Sequence, residues 1–394
     1  AAGPPLAESD RIPAEQTIET ALERLNALDI FESEETRHAS CLSPIAYLRK
    51  WRLAVSVRSG RNRYALNGTQ TSYGKGLSPE AARASCLMEI VERLSSFCSC
   101  EDRLLPEYKK RHRLLHDTCS GLASGGQRAI DPNRMRLDAA YRDEPLYWMP
   151  ARDTSGDRVY LPAQAVFLFA NLDEVSLFSG LGSTGLASGN TVEEAKVSAL
   201  LEIIERDADS TVSFDPEACF RLTSDNPHLL PLFEAYTRQG VHINFQEIAT
   251  EFGVPAFRCF VTSRDGGISR GTGAHLDGRK AAMSALTETP YPFPSGPPSG
   301  PGLPDLPLRR FEDLPNYDTN SASRNLAILE TLLKSRGFEP AYVDLTRGDV
   351  DMPVVKAVVP GLEWLSDFDR LARISPRLFA NYLSGFQKKR KAST

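Results

Sequence analysis

Cysteine and histidine are scarce in this chain of 394 residues, which has seven of the first and six of the second. The cysteines (Cys41, Cys86, Cys98, Cys100, Cys119, Cys219 and Cys259) are odd in number, and no Cys-x-x-Cys occurs. Cys86 and Cys98 fall within a predicted helix. The pattern excludes a disulfide framework and fits reduced thiols in a cytoplasmic protein. It argues equally against a zinc or iron–sulfur site. Cys98 and Cys100 raise the thought of a sulfur-carrying role, but free cysteines usually behave as small core residues. Long apolar runs are also missing: none reaches the roughly 18 residues of a membrane span. Residues 1–16 are polar, so no secretory segment is expected there. Excess positive charge is lacking too, and a formal net charge of −5 argues against a general nucleic-acid binder.

What is present is concentrated in one stretch, 180-GLGSTGLASGNTVEEAKVSALLEIIERDAD-209. A glycine- and serine-rich loop leads into a helix. Thr191 is its expected N-cap, and Glu194 completes a capping box. Glu202 and Glu205 are three apart and therefore neighbours on one side. The run from Gly180 to Gly185 formally fits a dinucleotide fingerprint, but no compact strand–turn–helix unit surrounds it.

The pattern recurs. In 76-GLSPEAARASCLMEIVERLSS-96 the same register places Ala82, Ser85, Leu87, Glu89 and Glu92-Arg93 where the later copy has Ala195, Ser198, Leu200, Glu202 and Glu205-Arg206. A weaker third copy, 275-HLDGRKAAMSALTE-288, aligns Ala281, Ser284, Leu286 and Glu288. The spacing is too long and irregular for a solenoid and reads as duplication within one fold. On a helix, Ala82, Cys86, Glu89 and Arg93 share a side, Glu92 lies at its edge, and Leu87, Val91 and Leu94 lie opposite. If the copies face one another, Glu89, Glu92, Glu202, Glu205 and Glu288 converge. Carboxylates that close need cations, and an all-oxygen set suits Mg²⁺ together with substrate phosphates. Arg93 and Arg206 would pair with a glutamate or a phosphate. Structural Glu–Arg ion pairs are the competing reading.

These two segments resemble the hallmark segments of the YcaO family, and 344-DLTRGDVDMPVVKAVVPGLE-363 resembles that family's C-terminal strand. The likeness spans roughly residues 10 to 365. It implies a pseudo-symmetric, duplicated α/β fold with mixed sheets, and ATP and Mg²⁺ bound between the repeats. It also implies phosphorylation of a peptide backbone amide, giving thioamides, azolines or amidines. By resemblance, the metal ligands fall on Glu89, Glu92, Glu202, Glu205 and Glu288. The nucleotide contacts fall on Asn190, Glu194 and Arg206, with Ser188 beside them, and Arg11 and Thr17 stand near the N-terminal contacts. The family's arginine four residues before the third-copy glutamate is Ser284 here, which leaves Arg279 as a substitute for the phosphates.

The expected organisation is an N-terminal arm and helix over 1–40, a YcaO-like domain over 41–365 and a tail over 366–394. A peptide or protein substrate is expected, with thioamidation or a sulfur-insertion accessory role favoured. The sulfur would then come from a separate partner protein or from sulfide. Azoline or macroamidine formation and a non-catalytic scaffold are the alternatives, and a homodimer is the family's implication. Helices are expected over 15–28, 227–238 and 324–336. Strands are expected over 51–60, 158–170, 241–248, 254–262, 340–346 and 354–359. Lys75 in 74-GKG-76, ahead of the Ser78-Pro79 helix start, is a candidate phosphate ligand in a short loop. The run 109-KKRHR-113 reads as solvated surface, with a peptide- or partner-binding loop as the minority reading. His112 and His116 would share a helix face as metal ligands do, but the surrounding charge is positive. Residues 289–307 read as an extended proline-rich loop, either a lid or docking surface or a plain connector. Residues 387–394 are expected to be disordered.

Overall fold

The computed structural model describes residues 11–57, 64–170, 172–178, 182–363 and 375–392. Among these, the helices are α1 (Ala14–Ala27), α2 (Pro79–Ser96), α3 (Cys119–Ser124), α4 (Val192–Thr211), α5 (Leu230–Arg238), α6 (Gly278–Glu288), α7 (Ala322–Ser335) and α8 (Pro376–Ala392). Three larger sheets carry them, beside a two-stranded pair, Leu104–Leu105 with His112–Arg113. A long hairpin, Ile45–Val57 with Tyr64–Gly76, takes Thr36–Arg37 as a third strand. An antiparallel run, Leu115–Asp117, Leu146–Asp153, Ala341–Asp344, Val354–Val358 and Leu186–Ser188, forms the second, with Arg158–Pro162 also paired to Leu146–Asp153. The third has the order Ile268–Ala274, Ala256–Thr262, Asn244–Glu247, Cys219–Thr223 and Leu308–Arg310, and only its last pair is parallel.

The repeat in the sequence is a strand running straight into a helix. Tyr64–Gly76 feeds α2, Leu186–Ser188 feeds α4, and Ile268–Ala274 feeds α6. Each helix start is capped by a side chain that satisfies an otherwise orphaned N–H. Ser78 Oγ accepts from Ala81 N at 3.1 Å, Thr191 Oγ1 from Glu194 N at 3.1 Å, and Asp277 Oδ1 from Arg279 N at 3.0 Å. The apolar faces go to separate cores. Leu87, Val91 and Leu94 of α2 join Trp51 and Met149, Leu200 and Ile204 of α4 join Leu329 and Leu333, and Met283 and Leu286 of α6 join Phe220 and Phe245.

The repeated alanines have a steric explanation. Ala82, Ala195 and Ala281 are all 0% exposed, and each sits against a glycine of its own feeding strand or of the turn that follows it. A Cβ on Gly74 would lie 2.0 Å from the Ala82 carbonyl oxygen, and one on Gly273 would lie 2.3 Å from that of Ala281. At Gly189 the clash is with Ala195 N at 2.6 Å. Small residues on both sides let the helix lie directly on the strand.

Several expectations change. Residues 74–76 are the end of a strand, not a phosphate-cradling loop, because Gly74 and Gly76 serve helix packing. His112 and His116 lie on separate short strands, so they do not share a helix face. Buried His112 bonds Asp344 O at 2.7 Å, and His116 packs on Tyr147. Helix α2 ends at Ser96, so Cys98 lies outside it, and Cys98 and Cys100 are buried core residues. Helix α8 continues through Ala392 where disorder was expected. The proline-rich loop has no helix or strand over 290–307, but it is packed down. Tyr291 and Phe293 are buried, Phe293 packs at a tilt on Tyr236 of α5 with ring centroids 4.5 Å apart, and Gln239 Nε2 donates to Gly296 O at 2.8 Å. These contacts hold it against α5 and the Asn244–Glu247 side of the core around Phe220 and Phe245. Part of the Gly180–Gly185 fingerprint lies outside the described residues.

Replacing Gly273 with alanine should lower unfolding free energy by about 1–3 kcal/mol through overpacking. Gly253→Ala, at a glycine with nothing within 4 Å of the added Cβ but a φ of +69°, should cost only the backbone strain of about 1 kcal/mol. Urea titration of both variants against wild type checks the order.

Candidate functional site

The three helices bring all five candidate glutamates to one cavity of about 690 Å³. Glu89 and Glu92 come from α2, Glu202 and Glu205 from α4, and Glu288 from the last position of α6. Their electrostatic contacts close a ring. Glu89 interacts with Glu92, Glu92 with Glu202, Glu202 with Glu205, Glu205 with Glu288, and Glu288 with Glu89. Serine at the shared repeat position also faces inward, since Ser85 and Ser284 line the same cavity.

Cations and backbone donors are threaded through the ring. Arg93 lies 3.6 Å from Glu89 and 3.5 Å from Glu92, and Arg206 lies 3.9 Å from Glu202. Lys75 Nζ reaches Glu288 Oε2 at 2.6 Å. Burial works against the charge of Lys75, but the Glu288 carboxylate outweighs it and holds the ammonium protonated. Tyr73 N donates to Glu89 at 2.8 Å, and Thr272 Oγ1 donates to Glu205 at 2.8 Å. The structural ion pairs weighed as a rival to a metal site are therefore real, and they coexist with the convergence.

These partners do not neutralise the ring. Burial raises Glu92 to about 8, with Arg93 opposing and Glu202 and Glu89 reinforcing. Burial likewise raises Glu205 to about 8, against Arg206 and the Thr272 hydrogen bond. Glu89 and Glu202 shift upward for the same reason. The Glu92 side chain keeps 18% of its surface open to the cavity, so protein walls, not bulk water, surround most of it.

The sequence reading missed three residues here. Lys356 is buried in the middle of the strand Val354–Val358, donates to Thr184 O at 2.7 Å, and acts on both Glu202 and Glu92. Burial lowers it to about 8, with those glutamates opposing. A lysine inside the apolar run 354-VVKAV-358 was the available signal. Asp209 and Arg270 also line the cavity, paired at 3.2 Å, and Asp209 is held on its other side by Arg258 at 2.7 Å. Arg279, the expected substitute for the phosphates, is committed elsewhere: it forms a two-pronged contact with its own cap residue Asp277, both bonds at 2.9 Å.

A second cavity of about 490 Å³ adjoins the first, sharing Ser85, Met88 and Ser188 with it. It carries Arg11, Thr17, Asn190 and Glu194. Thr17 Oγ1 bonds Asn190 Oδ1 at 3.2 Å and so ties α1 to the start of α4. The Glu194 carboxylate accepts from Asn190 N at 2.8 Å, one residue before the cap, so the capping box is displaced by one position. Arg206 and Lys75 stay with the glutamate cavity, while Asn190 and Glu194 belong to its neighbour and Ser188 stands between.

The donor set is all oxygen, and burial disfavours the charged form of four of its five carboxylates, an environment that a bound cation such as Mg²⁺ would offset. Among the described residues no three acidic, histidine or cysteine side chains form a closed metal cluster. The ion would thus be held by one or two carboxylates and completed by water and phosphate oxygens, as Mg²⁺ usually is.

Comparison with known proteins identifies the family. The family model described as YcaO cyclodehydratase, ATP- and Mg²⁺-binding, matches residues 73–290 and 296–363. The chain belongs to the YcaO family. An uncharacterized protein of Methanothermobacter thermautotrophicus is 30% identical over 363 residues, covering 82% of this chain and 90% of its own length. An uncharacterized protein from the tfuA 3′ region of Rhizobium leguminosarum bv. trifolii is 27% identical, over 55% of this chain and 53% of its own. Among solved structures, YcaO from Methanopyrus kandleri bound with AMPPCP and Mg²⁺ superposes with a TM-score of 0.64 at 22% identity, covering 90% of this chain and 93% of that one. A heterocyclase in complex with substrate and cofactor gives 0.66 at 20% identity, covering 92% of this chain but 54% of its own. These structures share the fold, a mixed α/β architecture. No helix among the described residues is long and apolar enough to cross a membrane.

The raised carboxylates have a consequence for stability. Glu92 and Glu205 move from an ordinary 4.5 to about 8 on folding. The native state therefore binds more protons than the unfolded chain, and stability present below the ordinary value is lost as pH rises through about 8. Without divalent cation, the melting temperature should fall between about pH 5 and 8. Added MgCl₂ should restore it, and more so at pH 8 than at pH 6. Thermal melts across pH with and without MgCl₂ check this, and an equal Mg²⁺ effect at both ends would contradict it.

Proposed function

We propose that this protein is an ATP- and Mg²⁺-dependent enzyme that activates a backbone amide of a peptide or protein, with thioamide formation as the outcome. The observation that carries the reading is the glutamate ring, built from three helices and opening directly into the Asn190–Glu194 cavity. A triphosphate spanning the two would present its nucleoside end to Asn190 and Glu194 and its phosphates to the ring. Bound Mg²⁺ would offset charge on the triphosphate as the phosphoryl group moves. Arg93, Arg206, Arg270 and Lys75 line the same cavity. They would hold phosphate oxygens and exclude water from them.

In the reaction, the amide oxygen takes the γ-phosphoryl group and a nucleophile adds to the amide carbon. The C–O bond then breaks, and ADP and phosphate are released. With sulfide as nucleophile, sulfur replaces oxygen and no redox change occurs. No cysteine lines the glutamate cavity, so the sulfur would be delivered from outside, as sulfide or by a partner protein. Azoline formation, in which a substrate side chain is the nucleophile, is the second reading. The heterocyclase among the structural neighbours favours it.

Calorimetry of ATP with Mg²⁺, comparing wild type and Glu202→Gln, is the first test. Affinity should fall at least about tenfold in the variant, as for other changes around bound metals. Absence of binding in a folded wild type would sink the enzymatic reading and leave a binding scaffold. With a peptide and sulfide present, mass spectrometry separates the products: exchange of oxygen for sulfur supports thioamidation, and loss of water supports the azoline.

A further inference from the structure

A third cavity, of about 510 Å³, lies against the antiparallel sheet and the start of α4. Neighbouring residues on a strand point to opposite faces. Accordingly Val355 lines this cavity, while Lys356 serves the ring. Its lining carries six cationic side chains: Lys110, Arg111, Arg113, Arg152, Arg158 and Lys196. The only carboxylate in the lining is Asp344, which Lys110 neutralises at 2.8 Å. None of the other five cations is ion-paired to a carboxylate among the described residues. This concentration occurs in a chain whose net charge is −5.

The strand register sharpens the point. Arg152 and Arg158 stand directly opposite one another on paired antiparallel strands. Like charges in that position destabilise a sheet. Arg152 donates a hydrogen bond to Gly156 O at 2.9 Å. Beneath these charges the floor is apolar and aromatic. Tyr160, Tyr342, Pro150 and Val355 line it, and the Lys196 ammonium sits 4.5 Å from the Tyr342 ring centroid. Such a surface accommodates carboxylates at the rim and one or two apolar side chains at the base.

We infer that this basic cavity docks an acidic segment of the polypeptide substrate, away from the residue that reacts. The inference rests on the proposed function, which requires a peptide or protein substrate. Helix α4 links the two places, with Val192 and Lys196 facing the basic cavity and Glu202 and Glu205 the ring. Six residues of helix, about 9 Å of rise, separate Lys196 from Glu202. An acidic stretch anchored at the basic cavity would therefore raise the local concentration of a nearby amide at the ring. A nucleic acid fits less well, because the rest of the chain, with a net charge of −5 overall, repels a polyanion.

The test uses the full chain and a fluorescein-labelled peptide of alternating glutamate and leucine pairs, with its glutamine counterpart as control. Anisotropy is read at low salt without ATP. The acidic peptide should bind and the glutamine peptide should not, and Arg113→Glu/Arg158→Glu should weaken binding roughly tenfold or more, with strong salt dependence. Calorimetric binding of ATP with Mg²⁺ should be unchanged in that variant. Equal binding of the acidic peptide to wild type and variant would overturn the inference. So would equal binding of both peptides, or tighter binding of a labelled oligouridylate of matched charge. Glu202→Gln keeps the two readings separate: it should lose ATP affinity and retain the acidic peptide.

Discussion

The constraint on which this structure turns is the desolvation of four carboxylates, Glu89, Glu92, Glu202 and Glu205, in one cavity with Glu288 at its exposed edge. Each glutamate projects from a helix that a strand has delivered, and each helix sits on its strand through an alanine–glycine contact. A larger residue at Gly74, Gly189 or Gly273 would push a helix away from its strand and out of the ring. Sequence repetition, close packing and site geometry are thus one fact at three levels. The repeated alanines set the depth of each helix, and that depth sets where its glutamates arrive.

Within this arrangement α4 does more than its two counterparts. Its first turn faces the Asn190–Glu194 cavity, its middle faces the ring, and Val192 and Lys196 face the basic cavity. Its last turns are anchored as well. Buried Asp207 accepts from Glu363 N at 3.0 Å and pairs with Arg377 of α8, while Asp209 holds Arg258 and Arg270. Burial pushes Asp207 up against the pull of Arg377, so that arginine matters to its charge. A single helix that is capped, buried along its core face and ion-paired at its end is a rigid element on which three surfaces can keep fixed relative positions.

How much of this was legible beforehand depends on the kind of signal. The three helices, their caps and the five glutamates are local patterns repeated in register, and repetition distinguishes them from a solvated helix face. The two-cavity division, with Asn190 and Glu194 apart from Arg206, was not legible, because it depends on where α1 docks. Lys356 escaped for a different reason: a lysine in an apolar strand carries no partner in sequence, and Glu92 and Glu202 reach it only through the fold. The Gly-Lys-Gly segment misled because glycines beside a helix start serve phosphate loops and close helix packing alike. His112 and His116, read as poor metal ligands because of the surrounding positive charge, lie on separate short strands and do not share a helix face. The basic run at 109–113 looked like ordinary surface until Arg152, Arg158 and Lys196 arrived from elsewhere in the chain.

The ring also explains why its carboxylates come from three units and not from one helix. Carboxylates on a single helix could be neutralised by their own neighbouring arginines, as Arg93 and Arg206 partly do. Across units, Glu92 faces Glu202 and Glu205 faces Glu288, and although Arg93 acts on both Glu92 and Glu202, burial still raises the two. Protonation relieves the repulsion at low pH, and a divalent cation relieves it at high pH. A cation bound there would join strand–helix units that otherwise have separate cores, so its binding energy would also stabilise their relative placement. The substrate phosphates that complete its coordination would then arrive at a site assembled by the same ion.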